Sequence, residues 1–247
     1  MGLIGKIKDI NILSELPFKS LSKLFLSGNN FYGTNIDIFR KMPFINLKIL
    51  NLEHNKINNI EGLSKAPFYE LNELYLGFNS INDIKPLEKF PFKKLEILFL
   101  NNNLIENLEY LFNAPFSKLK FLNLSSNKII NINSFSKAKF NQLENLYLDN
   151  NKINDIEVFS KVPFGNLMLL WLRENLISNI DVFKRVPFIN LYQLKMGKND
   201  VSNFETLFYS QFKSVNIYVD QIQYFLIQNR YHELLNMNLN RIKIVRD

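Results

Sequence analysis

Few residues in this sequence could carry out acid–base or nucleophilic chemistry. The 247 residues include two histidines, His54 and His232, and no cysteine. The lack of cysteine excludes disulfides, thiolate metal ligands and cysteine nucleophiles. Two distant histidines do not provide a metal site with histidine spacing, and the eight glycines form neither a P-loop nor a dinucleotide-binding fingerprint. We therefore expect no catalytic residue, no metal and no cofactor.

One pair of carboxylates, Glu53 and Glu73, could still act as a general acid and a general base. The repeat described below places them in neighbouring copies, and two nearby carboxylates are the usual acid and base of glycoside hydrolysis. The acidic residues Asp149 and Glu174 fall in other copies, so the carboxylates are spread along the chain. We predict that the protein is not an enzyme.

Composition sets the class of protein and leaves the partner open. An apolar fraction of 47% supports a buried core, and a net charge of +7 permits an acidic partner without requiring one. Lys6, Lys8 and Asp9 interrupt the apolar N-terminal residues, and no long uncharged apolar run occurs. We therefore expect neither a signal peptide nor a membrane span. The absence of cysteine favours a reducing compartment, which predicts a cytoplasmic protein.

One pattern, Leu-x-x-Leu-x-Leu-x-x-Asn-x-Ile, recurs through most of the chain. The first step is 26 residues, because two extra residues lie between Phe31 and Ile36, and the six later steps are 24 residues. The first leucine of each copy is Leu21, Leu47, Leu71, Leu95, Leu119, Leu143, Leu167 and Leu191. The asparagine of each copy is Asn29, Asn55, Asn79, Asn103, Asn127, Asn151, Asn175 and Asn199. Its amide is expected to satisfy backbone groups where the chain leaves the strand.

A phenylalanine, usually preceded by proline, marks the end of each repeat. Proline precedes it in all copies except Lys139-Phe140 and Gln211-Phe212. We expect these rings to stack into a spine beneath the outer wall. The nine phenylalanines are Phe18, Phe44, Phe68, Phe92, Phe116, Phe140, Phe164, Phe188 and Phe212.

The repeated residues match the motif of the leucine-rich repeat. The chain resembles the cysteine-free, short-repeat group that includes phosphatase-regulator and internalin-type proteins. This resemblance implies a right-handed α/β solenoid with a parallel β-sheet on the concave face and short helices on the convex face. It also implies a non-catalytic module that binds a protein partner. One repeat cannot bury its own apolar face, so the copies must stack.

The repeats divide the chain into three segments of one continuous domain. Residues 1–20 form an N-terminal half-repeat, 21–212 hold eight repeats, and 213–247 form a C-terminal cap of strand, helix and strand. In the cap, Asp220 is predicted to begin a helix. Its apolar residues would be Ile222, Phe225, Leu226, Leu234 and Leu235. The alternative is that this segment is itself a docking element.

The outer segments have a recognisable start, because an asparagine or aspartate precedes the second isoleucine position in every copy. These are the preferred N-cap residues of a helical turn. The predicted caps are Asp9, Asn35, Asn59, Asp83, Asn107, Asn131, Asp155, Asn179 and Asn203.

Alternation along each strand predicts which side chains face outward. The middle outward column is Phe25, Asn51, Tyr75, Phe99, Asn123, Tyr147, Trp171 and Lys195. Apolar residues of the preceding column flank it at Ile49, Ile97, Phe121 and Leu169. Exposed aromatics are typical of protein interfaces, although aromatics also favour strands for packing reasons. We predict that these residues bind a partner, with Trp171 as the anchor and Asp149, Arg173 and Glu174 orienting the partner.

Two other surfaces offer alternative partners. A basic ladder on the outer wall could follow phosphates of a nucleic acid or another acidic surface, although cations also favour helix C-termini. Its members are Lys41, Lys65, Lys89, Lys137, Lys161 and Arg185. The N-terminal half-repeat could instead stack on another subunit, so the chain is expected to be a monomer or a subunit of a larger complex. The sequon Asn123-Leu124-Ser125 lies in the middle column, where a glycan would block binding, and this also favours the cytosol.

Overall fold

Short parallel strands, one in each repeat, are the common element of the chain. The structure is a computed structural model that describes residues 10–15, 18–31, 36–238 and 241–247. The chain forms two compact units, Met1–Asn123 and Leu124–Asp247. In the first unit, strands pair in chain order: β1 (Lys23–Phe25), β2 (Ile49–Asn51), β3 (Glu73–Tyr75), β4 (Ile97–Phe99) and β5 (Phe121–Asn123). In the second unit the same holds for β6 (Asn145–Tyr147), β7 (Leu169–Trp171), β8 (Gln193–Lys195), β9 (Val215–Val219) and β10 (Ile242–Arg246).

The register of the sheets follows the 24-residue spacing of the repeat. Leu50 pairs with Leu74 in the first unit, and Leu146 pairs with Leu170 in the second. These central leucines are fully buried, whereas the residues on either side of them in the strand are mostly half-buried. The predicted alternation and the α/β solenoid fold are confirmed. The predicted boundaries at residues 20 and 212, and the single continuous domain, stay a prediction.

The asparagine of each repeat ties two neighbouring repeats together, and Asn151 shows how. Its Nδ2 donates to the carbonyl oxygens of Leu148 and Leu124, both at 3.1 Å, and so bonds its own repeat and the preceding one. Its Oδ1 accepts from the backbone N–H of Ile129 at 3.0 Å. Asn151 is only 8% exposed, so these backbone groups are shielded from water. The predicted role of the asparagine is confirmed.

The residue before each asparagine adopts a left-handed backbone conformation, which turns the chain off the strand. This conformation was not predicted from the sequence. Glycine occupies the position only at Gly28; the other residues are His54, Phe78, Asn102, Ser126, Asn150, Glu174 and Lys198, with φ between 52° and 58°. A side chain at such φ is strained by about 1–2 kcal/mol. The hydrogen bonds of the adjacent asparagine are strong enough to hold this conformation at seven non-glycine positions.

The outer wall consists of short helical segments, mostly of 3₁₀ geometry, which is common for segments of one or two turns. The first unit contains Ile10–Ser14, Ile36–Lys41, Glu61–Lys65, Lys85–Lys89 and the α-helix α1 (Glu109–Asn113). The second unit contains Asn133–Lys137, Glu157–Lys161, Asp181–Lys184 and Phe204–Tyr209. Helices on the outer wall are therefore confirmed.

The predicted capping side chains do accept hydrogen bonds from the helices, but each lies one residue before the N-cap position. The N-cap residue itself is apolar, as at Ile60 and Ile156, because that side chain is buried. The oxygen of the preceding side chain instead accepts from the first helical N–H, at 2.8 Å in all six cases: Asn59, Asp83, Asn107, Asn131, Asp155 and Asn179. Asn203 is an N-cap, but its Oδ1 accepts from Ile180 in the preceding repeat. Asp9, Asn35 and the insertion between Phe31 and Ile36 lie outside the described residues.

One pair of the predicted phenylalanine spine stacks in each unit, and every member except Phe18 is buried. Phe68 and Phe92 stack with ring centroids 6.4 Å apart, and Phe140 and Phe164 stack at 5.9 Å. The prediction is wrong for Phe18, which is 40% exposed. Phe18 is the first member of the row, so the row continues on one side of it only.

The helix of the C-terminal segment begins at the predicted residue, and one face of it is buried. Asp220 and Gln223 form a capping box at the start of α2 (Gln221–Arg230), and α3 (His232–Met237) follows. The buried side chains recur every four residues: Gln223, Ile227, Tyr231 and Leu235. The helix carries Ile222, Phe225 and Leu226 as predicted, and these side chains are 81%, 50% and 37% exposed. Gln223 donates to the Asn199 carbonyl and Tyr231 donates to Glu205, so polar side chains take part in the buried face.

Substituting Asn151 with alanine should destabilise the second unit strongly. The change leaves several buried backbone groups unsatisfied, each costing about 1–3 kcal/mol, so we expect a loss on the order of 3 kcal/mol in the free energy of unfolding. Urea unfolding followed by circular dichroism measures it. The matched control is Asn154→Ala, at an exposed asparagine of the same repeat, with an expected change below about 0.5 kcal/mol. Equal losses in the two variants would contradict the structural role of the buried asparagine.

Candidate partner-binding site

The solvent-facing side of the strands, with the second residue after each strand, is called the strand face below. All eight predicted middle-column residues lie on it, half-buried between their neighbours. The flanking residues Ile49, Ile97, Phe121 and Leu169 are also half-buried on this side. Asn145, which alternation assigns to the same side, is instead buried, and its Nδ2 donates to the Tyr147 hydroxyl at 3.1 Å.

In the second unit, Trp171 lies at the centre of a fixed aromatic cluster. Tyr147 meets it edge-on, with ring centroids 4.6 Å apart. Its Nε1 donates to Gln193 Oε1 at 2.8 Å, and Lys195 Nζ lies 4.0 Å from the ring centroid. A ring held from three directions has little rotamer freedom to lose on binding. The cluster is preorganised, and its exposed charge is that of Lys195.

Tyr218 extends this cluster and was not predicted from the sequence. Lys195 pairs with Tyr218 in the register of β8 and β9, and Lys195 Nζ lies 5.3 Å from the Tyr218 ring centroid. The middle column therefore continues for one more strand. The signal was present, because the segment Ser214–Asp220 already had the pattern of a last strand, but it does not carry the leucine-rich motif that aligns the other copies.

The three predicted orienting residues of the second unit are engaged within the chain. Arg173 forms an ion pair with Asp247, with 3.0 Å between Nε and Oδ2. Glu174 accepts from Lys198 Nζ at 2.7 Å, and this hydrogen bond lowers the pKa of the glutamate. Asp149 Oδ1 accepts from the Arg173 backbone N–H at 2.8 Å. Burial raises the pKa of Asp149 to about 6, although that hydrogen bond and the charges of Arg173 and Lys195 oppose the rise.

In the first unit, Tyr75 and Phe99 form the corresponding aromatic pair. Their rings meet edge-on with centroids 5.1 Å apart. The Tyr75 hydroxyl donates to Glu73 Oε2 at 2.7 Å. The pKa of Tyr75 is raised, first by burial, then by this hydrogen bond and by the charges of Glu73 and Glu53. An acidic group therefore accompanies the aromatic pair here, whereas a lysine covers the tryptophan in the second unit.

The residues considered for catalysis form hydrogen bonds or ring contacts with neighbouring side chains. Glu53 Oε2 accepts from Asn51 Nδ2 at 3.0 Å, and Glu73 accepts from Tyr75. His54 stacks on Phe78, with ring centroids 4.1 Å apart. Across the described ranges, no group of three or more histidine and carboxylate side chains could hold a metal ion.

The predicted basic ladder is exposed at all six positions of the outer wall. Two of its members are already paired with glutamates of the outer wall. Lys89 Nζ lies 3.9 Å from Glu61, and Arg185 lies 2.9 Å from Glu157. Between Lys89 and Lys137 the corresponding position is Asn113, which is uncharged and donates to Glu88. The ladder is therefore interleaved with carboxylates and is not a continuous cationic surface.

Two family models match the chain, both in the same motif. A leucine-rich repeat model matches residues 20–42, and a model of two such copies matches residues 117–161. These matches and the stacked repeats described above agree. The chain contains leucine-rich repeats, and its fold is the leucine-rich repeat solenoid. Leucine-rich repeats generally mediate protein–protein interaction and are typically non-enzymatic.

Several solved leucine-rich repeat structures are similar to this one. Internalin F from Listeria monocytogenes is 24% identical with a TM-score of 0.63, and the match covers 96% of this chain and 72% of that one. A Leptospira interrogans leucine-rich repeat protein is 24% identical with a TM-score of 0.65, covering 99% and 52%. A plant peptide hormone receptor, in complex with its partner RGF2, is 22% identical with a TM-score of 0.60, covering 85% and 33%. At this identity the likeness establishes the leucine-rich repeat fold.

No curated protein matches the sequence at a significant level. In the part of the chain that the structure describes, none of the helices has the length and apolar character needed to cross a bilayer.

Replacing Asp149 with asparagine should stabilise the protein at neutral pH. Because the folded-state pKa, about 6, lies above the ordinary value of 3.8, the folded state favours the protonated carboxyl. The resulting stability is fully present below pH 3.8 and is lost as the pH rises through about 6. At pH 7.5 we expect Asp149→Asn to unfold with a free energy about 1–2 kcal/mol higher than wild type.

Urea unfolding at several pH values measures this effect. The gap between Asp149→Asn and wild type should narrow as the pH falls through about 6. The control is Asp200→Asn, at an exposed aspartate. A gap that does not change with pH, or a variant less stable than wild type at pH 7.5, would rule out the burial effect.

Proposed function

We propose that this protein is a non-catalytic interaction module that binds a protein partner through its strand face. The observation that carries the proposal is the Trp171 cluster of the second unit, with Tyr147, Lys195 and Tyr218 around the indole. Folding depends on the buried leucines, asparagines and phenylalanines of the repeat, and it does not require aromatics at these outward positions. Half-exposed aromatics fixed by hydrogen bonds are the kind of group that dominates binding energy in protein interfaces.

The chemistry of the cluster also indicates what the partner offers there. The indole N–H of Trp171 donates to Gln193, and Lys195 covers the face of the ring. A partner therefore meets an aromatic rim with a positive charge at its centre. An apolar side chain beside a carboxylate would complement both features. The similar plant hormone receptor, in complex with its partner, shows that this fold can hold a partner, and supports the proposal by analogy.

A cytoplasmic location is part of the proposal. It is supported by the lack of cysteine and by Asn123, whose sequon lies in the middle column of the strand face. A glycan at that asparagine would cover the surface that we propose for binding.

Truncating the Trp171 cluster should abolish partner capture. Immobilised protein would be used to capture partners from a lysate of the source organism, with captured proteins identified by mass spectrometry. We expect Trp171→Ala with Tyr147→Ala to reduce capture of a specific protein on the order of tenfold or more. The control pair is Tyr69→Ala with Tyr209→Ala, two tyrosines outside the strand face that are 60% and 62% exposed. Thermal melting establishes that both variants fold.

If the cluster variant captures as much as the control, the aromatic column serves sheet packing and the proposal is wrong. Loss in both variants would point to a general effect of exposed aromatics and would equally contradict a site at Trp171.

The basic ladder makes a different prediction about salt. Binding of nucleic acid through several cations should weaken about a thousandfold or more between 50 mM and 200 mM salt. Binding through the Trp171 cluster should change about tenfold or less over that range, because its contacts are largely apolar. Fluorescence anisotropy with a labelled duplex, and with the captured protein, measures both. Lys137→Ala with Lys161→Ala weakens the ladder, so an effect of this pair on the captured protein would favour the outer wall.

A further inference from the structure

The last strand of the second unit, β10, has an open hydrogen-bonding edge. Among the described residues β10 pairs with β9 alone, over the five residues Ile242–Arg246. The strands of the eight repeats have only three residues each. An open edge of this length presents main-chain groups on which a further strand can form.

The hydrogen bonds at the two ends of β10 show which main-chain groups point to the open edge. The Arg241 carbonyl accepts from β9 at 2.8 Å, and the Asp247 N–H donates to β9 at 2.9 Å. In a parallel ladder every second residue of a strand bonds the same neighbour, so every second residue from Arg241 to Asp247 faces β9. Ile244 and Arg246 lie between these positions. Their N–H and C=O groups therefore point away from β9, and among the described residues no hydrogen bond reaches them.

The helix α2 exposes apolar side chains at the same end of the unit. It packs against β10, and Gln223, whose Nε2 donates to the Asn199 carbonyl at 2.8 Å, places one side of the helix against the eighth repeat. Phe225 lies on the opposite side, because two residues turn an α-helix by about 200°. Both Phe225 and Ile222 are exposed. The open edge of β10 also faces away from the eighth repeat, since β9 lies between β8 and β10.

The charge along this edge is positive. Lys243 and Arg246 are exposed, and among the described residues neither forms an ion pair. The neighbouring Asp247 is already paired with Arg173. A second copy of β10 would bring two more cations to the same ladder, so pairing of this edge with itself is disfavoured. A strand that carries carboxylates would complement the edge.

We propose that the open edge of β10 docks an extended, acidic segment of the protein partner, which joins the sheet as a further strand. The main chain of that segment bonds Ile244 and Arg246, and its carboxylates lie near Lys243 and Arg246. Apolar side chains on its other face meet the exposed side of α2. This inference rests on the proposed protein-binding function. Val245 pairs with Tyr218, so the middle column of the strand face continues to this edge, and one partner can contact both.

A model strand tests the edge without knowledge of the partner. The probe is the peptide Val-Glu-Val-Glu-Val, acetylated and amidated at its ends. Two control peptides carry N-methyl groups, one on the valines and the other on the glutamates, and keep all side chains. NMR titration of the isotope-labelled full chain would follow the backbone amides of Ile244 and Arg246. We expect saturable shifts of both signals and slower hydrogen exchange of the Ile244 amide. Because an added strand pairs through one of its edges, one control should lose binding and the other should keep it.

Two substitutions at one exposed position separate the main chain from the charge. Arg246→Ala and Arg246→Pro both remove the guanidinium, and only proline also removes the N–H that points to the open edge. We expect the proline variant to bind the probe about threefold or more weakly than the alanine variant, since one hydrogen bond is lost. Thermal melting establishes that both variants fold. Equal binding by the two variants would contradict strand addition.

Charge reversal tests the acidic character of the segment. Lys243→Glu with Arg246→Glu should weaken binding of the probe about fivefold or more. Lys137→Glu with Lys152→Glu makes the same change at exposed lysines elsewhere in the second unit and should leave binding unchanged.

Three results would overturn the proposal. The first is that the probe produces no saturable shifts. The second is that both N-methylated peptides keep binding or both lose it. The third is that the Ile244 and Arg246 signals shift with protein concentration alone, because the edge would then pair with a second copy of the chain.

The capture experiment separates this inference from the proposed function. If Trp171→Ala with Tyr147→Ala loses the partner while Arg246→Pro captures as much as Arg246→Ala, the module binds protein but the strand-addition site is wrong. If Arg246→Pro alone loses the partner, the strand-addition site holds and the Trp171 cluster is not the binding site. Loss in both supports a partner that contacts the strand face and the edge together.

Discussion

The structure depends above all on how a buried turn satisfies its backbone groups. Each repeat must leave its strand within one or two residues, which leaves carbonyl oxygens inside the core. The asparagine amide bonds two of these oxygens, and one of them belongs to the preceding repeat, as Asn103 shows with Leu76 and Leu100. The same side chain accepts from Ile81. Because the asparagine side chain joins adjacent repeats, a change in the register of the strands would break this hydrogen-bond network.

That constraint explains why the outward positions vary so widely. With leucines, asparagine and phenylalanine holding the stack, the middle column is required only to fit a pleated, half-buried surface. The two units use this freedom differently. In the second unit the charge of Lys195 lowers the pKa of Asp149, and Lys195 also covers the Trp171 ring. In the first unit the middle column has no lysine beside Glu53 and Glu73. One scaffold therefore presents two chemically distinct surfaces.

Repetition made the fold predictable, and the differences concern the helix caps and the C-terminal segment, which does not repeat. Eight copies of one motif identified the strands, the buried asparagines and the outer helices. The caps Asn59 and Asp155 were placed one residue early because the hydrogen bond spans a buried isoleucine. The exposure of Ile222 and Phe225 was not predicted, because the repeat contains no copy of α2 that could indicate which face is buried. Tyr218 was missed for the same reason.

The sequence by itself determined the spacing of the repeats, the identity of the core residues and the side of each strand that meets solvent. These follow from local periodicity, which is the same in every copy. Only the tertiary structure decided how the outward side chains pair: Trp171 with Gln193 and Lys195, Arg173 with Asp247, and the approach of Glu53 and Asn101 around Gly77. Each of these contacts joins residues at least 22 positions apart, and their distances depend on the stacking of repeats.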